Sequence, residues 1–152
     1  LPHICGYMVP EKLAYVRDRG FKKGERKSFS DSMRGVALTV GSALSMHPLI
    51  RIHGGEENPV TVNRSYEKSA RRMLEHVAKQ IRAGKLMSSH VCLSYAGDAA
   101  RVPTMPGYAE LEAAAREHDV QLLVSTMSPT GAINVGAGCL FVAFASQDDE
   151  FE

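Results

Sequence analysis

The sequence contains no tryptophan, few aromatic side chains and almost no net charge. Lysine and arginine number 18 against 17 aspartate and glutamate, which leaves a formal charge of +1, and aromatic residues make up 7%. A charge so close to balance argues against a nucleic-acid-binding protein or one held on an anionic membrane surface. Apolar runs are also short: none approaches the ~18 residues of a membrane-spanning helix. We therefore expect neither a nucleic-acid partner nor a membrane span.

Cysteine is scarce as well. The three residues, Cys5, Cys92 and Cys139, cannot all pair within the chain, and each lies in an apolar stretch where a thiol acts as a small hydrophobe. This usage favours a reducing, cytoplasmic compartment. The N-terminus lacks the basic and then apolar pattern of a signal peptide, and the chain begins with Leu1, which suggests a piece of a longer protein.

What the sequence does contain is typical of one globular domain. It has 152 residues, of which 44% are hydrophobic and 23% charged. Roughly 150 residues make one domain, and a chain of this size buries about 68–70% of its unfolded surface. We expect residues 1–152 to form a single domain.

The first third of the chain predicts two helices, a loop and a hairpin. Pro10 suits a first helical turn, and Gly20 suits the end of that helix. Residues 21–32 are basic and then serine-rich, which indicates an exposed loop, whereas residues 34–46 are apolar nearly all round and predict a helix buried against a sheet. Alternating residues on either side of Gly54 and Gly55 predict a hairpin over 49–63.

The rest of the chain alternates helices with strands. The clearest helix begins at 63 or 64 and ends at Gly84, because apolar residues there recur at steps of three and four. Further patterns predict a strand at 90–97, a helix at 106–119, strands at 120–128 and 138–146, the last of them central, and a frayed acidic tail at 147–152. Together these elements predict an α/β (α+β) fold with a mixed β-sheet flanked by helices.

The loop over 128–138, SPTGAINVGAG, is the most conspicuous local motif. Its three glycines permit positive φ angles and are able to present backbone N–H donors to an anion. It is not a P-loop, since Cys139 and Leu140 follow where Lys and Ser/Thr are needed, and a third Rossmann glycine is missing at Phe141. Two interpretations stay open: a tight connection between strands, or a ligand cradle.

No pattern of catalytic residues is present, and metal binding has little support. His3 with Cys5 and His90 with Cys92 would surround zinc only if their strands were neighbours. The remaining histidines, at 47, 53, 76 and 118, are expected on the surface. The basic side chains around Arg64 favour the solvated side of an amphipathic helix. We expect no metal, no cofactor and no enzymatic activity.

Five segments follow one another along the chain: VPEKLAYVRDRG, GSALSMHPLIRIHGG, NRSYEKSARRMLEHV, HVCLSYAGD and INVGAGCLFVAF. In this order they resemble the second, C-terminal domain of the DegV family of fatty-acid-binding proteins. They are similar, respectively, to the family's first helix, its leucine-rich helix with the following strand and glycine turn, its Arg-initiated helix, its His-Val strand and its closing His-x-Gly-Pro-Gly segment. Asn134 stands where the family has its histidine, and Ala137 replaces the proline.

The resemblance implies a non-enzymatic carrier that binds a long-chain fatty acid and presents it to a kinase. In that family the carboxylate lies between two domains, so a missing N-terminal domain is implied here. The resemblance also implies that the ligand-binding residues are Asn134, Gly136, Gly138 and Arg64. Two alternatives stay open from the residues themselves: a small α/β phosphotransferase that uses the glycine loop, or a structural or dimerising domain that has lost its ligand.

Overall fold

The computed structural model describes residues 3–12 and 46–151. Within them lie six β-strands, three α-helices and one 3₁₀ helix. The bounds are β1 Ile4–Val9, β2 His47–His53, β3 Glu56–Asn63, α1 Tyr66–Arg82, β4 His90–Tyr95, the 3₁₀ helix Ala99–Thr104, α2 Tyr108–Glu117, β5 Gln121–Thr126, α3 Pro129–Val135 and β6 Leu140–Ala145. Three predicted elements lie outside the described residues. They are the loop at 21–32, the helix ending at Gly20 except for its first positions, and the apolar helix from residue 34 except for its last position.

The strands form one mixed sheet in the order β3-β2-β1-β6-β4-β5. All neighbours are antiparallel except β4 and β5, which run parallel. The prediction of a mixed sheet flanked by helices is therefore confirmed, and β6 is central as expected. Strand β1 was not predicted as an element of its own. Its sequence, ICGYMV, is continuously apolar, as expected for a central strand that is buried on both faces.

The two long helices cover one face of the sheet and form the main core with it. Helix α1 begins after Ser65, whose side chain accepts a hydrogen bond from the backbone N–H of Lys68, and Gly84 follows it at φ +65°. The apolar side of α1, together with α2, packs against alternate side chains of the strands. The fully buried members include Tyr7, Leu49, Met73, Leu74, Leu93, Leu111 and Leu140. The helices predicted at 64–84 and 106–119 are confirmed.

The hairpin predicted over 49–63 is also confirmed. Strands β2 and β3 pair antiparallel from His47 opposite Asn63 to His53 opposite Glu56. Gly54 and Gly55 connect them at φ +62° and +82°, the positive angles that a tight hairpin turn needs. The hairpin thus forms one edge of the sheet. It also places the start of α1 at the end of the sheet where β2 begins.

Within residues 3–12 and 46–151, the opposite side of the sheet, which we call the open face, is covered only in part. Helix α3 packs Ala132 and Val135 against a small second cluster that includes Met8, Ile50 and Cys139. Beyond that cluster, Ile4 and Leu123 are each 47% exposed, while most neighbouring side chains on this face are partly buried. The two faces therefore differ: one is a finished core and the other leaves apolar surface accessible.

The C-terminal segment is anchored, which corrects the expectation of a frayed tail at 147–152. Asp149 is 7% exposed and accepts hydrogen bonds from Tyr7 Oη at 2.6 Å and Arg51 Nε at 2.9 Å. Its other carboxylate oxygen lies 2.8 Å from His76 Nε2. His76 is itself 5% exposed, so its expected surface placement was wrong. The charge pattern of the segment does not indicate that one of its carboxylates is buried and has three side-chain partners.

Candidate functional site

One end of the sheet holds three of the four residues that the sequence proposed for ligand binding: Arg64 follows β3, and Gly136 and Gly138 precede β6, with β2 and β1 between those two strands. We call it the glycine-turn edge: the end of β1 at Pro10–Glu11, the start of β2 at His47, residues 63–66 between β3 and α1, the end of β4 at 95–97, and the turn 136–139 before β6. The strand register places these segments side by side, because Val9 pairs with Leu140 and Tyr95 also pairs with Leu140. Loops from both halves of the chain therefore meet there.

The structure changes the interpretation of the glycine loop. Residues Pro129–Val135 form a short helix that begins after Ser128, whose side chain accepts a hydrogen bond from the N–H of Gly131. The two interpretations left open by the sequence, a tight connection between strands or a ligand cradle, did not include this helix, whose first turn is favoured by Pro129 and the Ser128 cap. Asn134 is exposed on the last turn of this helix. Gly136 and Gly138 follow at φ +89° and +78°, which explains why glycine occupies both positions.

The backbone donors of these glycines are already used within the chain. The N–H of Gly136 bonds to the carbonyl of Ala132 at 2.8 Å, and the N–H of Gly138 bonds to the carbonyl of Ala96 at 2.8 Å. With the N–H of Gly131 held by Ser128, the three glycines have no free N–H to offer an anion. The glycine N–H groups are therefore not available to a ligand cradle, and the phosphotransferase alternative loses the feature on which it depended.

Arg64 lies at the same edge but apart from the glycine turn in the chain. It is exposed and lies two residues before α1, whereas the neighbouring basic residues lie on that helix. Arg71 pairs with Glu75 one turn later, whereas Arg72 donates to Thr61 on β3 and stacks over Phe151. Arg64 is thus the member of the cluster at the glycine-turn edge, while Arg71 and Arg72 have structural contacts.

Four further side chains belong to this edge and were not identified from the sequence. Tyr95 ends β4, and Arg101 Nη1 lies 3.5 Å from its hydroxyl. The carboxylate of Glu11 lies over Gly138, so that a Cβ at Gly138 would overlap it. Tyr66 begins α1 and carries a buried hydroxyl. Local patterns do not mark these residues, since tertiary pairing alone brings them together.

The open face of the sheet continues from this edge and has a floor of small residues. Gly6, Ala143 and Cys92 stand opposite one another on β1, β6 and β4. In the same row, Ile52 on β2 and Leu123 on β5 form the two sides. At Gly6 a Cβ would lie 3.0 Å from the ring of Phe141, so the close approach of that ring depends on glycine. We call this row of small residues across the sheet the trough.

A separate polar pocket of about 360 Å³ lies at the far end of the sheet. It is lined by His3, Cys5, Arg51, His53 and residues 146–150. Burial, followed by the charge of Asp149, raises the pKa of Cys5 to about 11, and the sulfur lies 3.6 Å from His53 Nδ1. A thiol with a raised pKa is a poor nucleophile at neutral pH. This pocket therefore has no feature of a cysteine-based catalytic centre.

The cysteines and histidines do not form a metal site in the described part of the chain. Strands β1 and β4 are separated by β6, so His3 with Cys5 and His90 with Cys92 are not neighbours, as zinc binding would require. Among residues 3–12 and 46–151, no group of three or more metal-binding side chains is arranged around a common point. All three cysteines are free; Cys5 and Cys139 are buried, and Cys92 is exposed.

The described helices include none that combines the length and the apolar composition needed to cross a membrane.

Burial alone raises the pKa of Cys139 to about 12, so this thiol, beside the glycine turn, is also protonated at neutral pH. Its role is to pack against Met8 and Ile50 under α3.

Comparison with known sequences identifies the family of the chain. A family model described as an uncharacterised protein of the DegV family matches residues 1–147. A DegV domain-containing protein of Xanthomonas axonopodis is 42% identical over 149 residues, and one of Xanthomonas campestris is 41% identical over 149. Each alignment covers 98% of this chain but 46% of the relative, so the chain spans about half the length of the curated relatives.

Solved structures share the fold. A protein of Streptococcus agalactiae described as a fatty acid binding DegV family protein superposes with a TM-score of 0.65 at 17% identity, covering 95% of this chain and 45% of that one. DegV of Bacillus subtilis, described as a fatty acid binding protein, gives 0.62 at 16% identity, covering 95% and 45%. The sheet order seen here is thus a known architecture, and the sequence matches assign it: the chain belongs to the DegV family.

Proposed function

We propose that this chain is the acyl-binding half of a non-enzymatic fatty-acid carrier. The observation that carries the proposal is the trough of Gly6, Ala143 and Cys92 on the open face, where Gly6 lies three residues before Val9, the last residue of β1. Structural relatives are described as fatty-acid-binding proteins, one of them from Eubacterium ventriosum with stearic acid. An apolar trough beside a polar edge suits a ligand with a long alkyl chain and one anionic group.

The trough favours an alkyl chain for a simple energetic reason. Small side chains leave room on the sheet, and the exposed Ile4 and Leu123 provide apolar surface at its sides. Each methylene removed from water contributes about 0.8 kcal/mol, so a chain of about 15 methylenes offers roughly 12 kcal/mol before the costs of ordering. Such binding needs few polar contacts, and these would involve the head group alone.

The head group would lie at the glycine-turn edge, where Arg64 is exposed, with the exposed Asn134 two residues before Gly136. Because the N–H groups of Gly136 and Gly138 are bonded within the chain, these glycines would shape the edge rather than donate to the ligand. Asn134 and Arg64 remain our proposed contacts for the carboxylate or for a docking protein. Their side chains supply an amide donor and a positive charge, respectively.

The proposal places the chain within a larger protein. Since it spans 46% of its curated relatives, we propose that an N-terminal domain completes the wall of the pocket. The bound acid would then be presented to a fatty-acid kinase, which would phosphorylate the carboxylate, so that this protein carries the substrate and performs no chemistry. The three free cysteines agree with a reducing, cytoplasmic location.

Lipid extraction from the purified full-length protein, followed by mass spectrometry, is the first test. We expect one long-chain fatty acid per protein molecule. The absence of any lipid, together with no binding of added palmitate or oleate after delipidation, would contradict the proposal and favour a structural or dimerising domain.

A variant in the trough tests the position of the alkyl chain. Ala143→Leu places a large side chain on the floor and should weaken palmitate binding by at least tenfold, measured by isothermal titration calorimetry. Ala109→Leu is the matched control, because Ala109 is exposed on α2 and far from the open face. Equal affinities for both variants would show that the alkyl chain binds elsewhere.

A further inference from the structure

The hydroxyl of Tyr66 is buried but lacks a hydrogen-bond partner in the part of the chain that the structure describes. Its ring packs against the main core and lies edge-on to His47, with the ring centroids 6.1 Å apart and the planes at 82°. These contacts fix the ring without satisfying its polar atom. A buried donor without a partner is destabilising, so such a group in a well-packed region requires an explanation.

The hydroxyl lies near enough to the glycine-turn edge for charges there to affect its pKa. Burial is the main cause that raises the pKa of Tyr66, and the negative charges of ionised Tyr95, Cys139 and Glu11 would raise it further, whereas Arg101 lowers it. Tyr66 therefore stays protonated across the physiological range and is a hydrogen-bond donor. Arg101, which lies close to the Tyr95 hydroxyl, adds a positive charge to the same neighbourhood.

A carboxylate that binds at this edge needs side-chain donors. The N–H groups of Gly136 and Gly138 are already bonded to Ala132 and Ala96. The Glu11 carboxylate lies over Gly138 and brings a like charge close to the ligand. Asn134 contributes only a neutral amide. The carboxylate therefore needs a further side-chain donor to offset the occupied glycine N–H groups and the charge of Glu11. Hydrogen bonds to a charged acceptor are stronger than those between neutral groups.

Building on the proposed function, we propose that the Tyr66 hydroxyl donates a hydrogen bond to the carboxylate of the bound fatty acid. Arg101 provides the nearby positive charge. Tyr66 fixes the direction of the hydrogen bond, since its ring is held between the core and His47. Tyr66 is thus a specificity-determining residue that distinguishes a free acid from a neutral ester of the same chain length. A carboxylate at this position would satisfy the hydroxyl, which has no partner among the described residues.

The substitution Tyr66→Phe separates this role from a structural one. In the delipidated full-length protein, we expect the melting temperature to stay the same or rise, because an unpartnered buried hydroxyl is removed. Palmitate binding should weaken by about tenfold or more, as expected for the loss of a hydrogen bond to a charged group. A stability gain combined with an affinity loss is a result that a merely structural tyrosine does not give.

Methyl palmitate provides the second measurement, since it has the same alkyl chain and no negative charge. The wild type should prefer palmitate to the ester by a larger factor than Tyr66→Phe does. Tyr108→Phe is the matched control, because Tyr108 begins the other long helix and is buried in the same core. It should preserve the wild-type preference.

The possible outcomes are distinguishable. If the wild type binds palmitate and Tyr66→Phe binds it equally well, the role of Tyr66 is wrong and the proposed function stands. If Tyr66→Phe weakens palmitate and methyl palmitate by the same factor, the residue only shapes the pocket, and the inference is again wrong. If the wild type binds neither ligand, the proposed function fails and the inference fails with it.

Discussion

Replacing Asp149 by asparagine should reveal how strongly the C-terminal segment is held. Asp149 is buried, with its side chain 1% exposed, and it faces Tyr7, Arg51 and His76 at hydrogen-bond distance. The backbone carbonyl of Asp149 also accepts from Arg51 Nη2 at 2.8 Å. Asp149→Asn keeps the shape of the side chain and this backbone contact, but it removes the negative charge and turns one acceptor atom into a donor.

The expected cost follows from the number of partners. Removing one member of a buried ion pair costs about 3–5 kcal/mol, because the remaining charge stays buried without compensation. Arg51 is partly exposed and water screens it in part, so we expect the lower end, about 3 kcal/mol. For a protein of this size or somewhat larger, that loss lowers the melting temperature by roughly 6–12 °C.

The cost should also depend on pH. Burial alone raises the pKa of Asp149, but the hydrogen bonds from His76, Tyr7 and Arg51 outweigh it and hold the pKa well below its usual range. The folded state therefore binds fewer protons than the unfolded state, in which the pKa is about 3.9. The stabilisation is complete above about pH 5 and is lost progressively as the pH falls below about 4. By pH 3 about 1 kcal/mol of it is gone.

Denaturant unfolding at pH 7 and pH 3 measures both effects. Asp148→Asn is the matched control: Asp148 is the adjacent residue, with its side chain 69% exposed, and its contact with Lys85 is 3.7 Å long, so the change should stay within about 0.5 kcal/mol. The reasoning is refuted if Asp149→Asn costs less than 1 kcal/mol at pH 7, or if its cost is as large at pH 3 as at pH 7.

The remaining predictions concern the glycine-turn edge and the completeness of the chain. Asn134→His should tighten palmitate binding at pH 6 and make it weaken toward pH 8, while the wild type changes little over this range; equal calorimetric affinities of both proteins at both pH values would show that residue 134 does not meet the carboxylate. Arg64→Ala should reduce lipid binding or acyl-phosphate formation by the kinase at least fivefold, and an unchanged rate and affinity would leave Arg64 as part of the solvated side of α1. Gly138→Ala should lower the free energy of unfolding by about 1–3 kcal/mol, because a side chain at φ +78° is strained and overlaps Glu11, whereas a neutral result in a denaturant titration would contradict the geometry of this turn. The isolated chain should bind palmitate at least tenfold more weakly than the full-length protein, and submicromolar binding by the isolated chain would contradict the need for a second domain.

The elements of regular structure could be predicted from the sequence because their signals are local. The 3.6-residue spacing of apolar residues between 64 and 84 predicted α1, and the glycine pair at 54–55 predicted the hairpin, since both depend on neighbouring residues alone. The family resemblance also came from segments in their order along the chain. Strand β1 was missed because a short apolar run has no periodicity that distinguishes a buried strand from other structures.

The candidate site could be predicted only in part. The sequence identified Gly136 and Gly138 as positions that need unusual backbone angles, and the structure shows positive φ at both. It could not show that their N–H groups are bonded to Ala132 and Ala96, because the second of these bonds joins residues 42 positions apart. Whether a donor is free depends on which strands become neighbours.

The same reason explains the buried groups that the sequence did not reveal. Asp149 lies in an acidic terminal segment and Tyr66 on an amphipathic helix, and both patterns predict solvent exposure or ordinary packing. Asp149 meets Tyr7 across 142 positions of the chain, and Tyr66 comes near Glu11 and Arg101 only after the sheet has formed. Local spacing determined the helices and strands of this protein, while the charges, donors and partners at its two ends follow from strand order. Strand order is a property of the whole folded chain, because each pairing depends on burying the same core from distant segments.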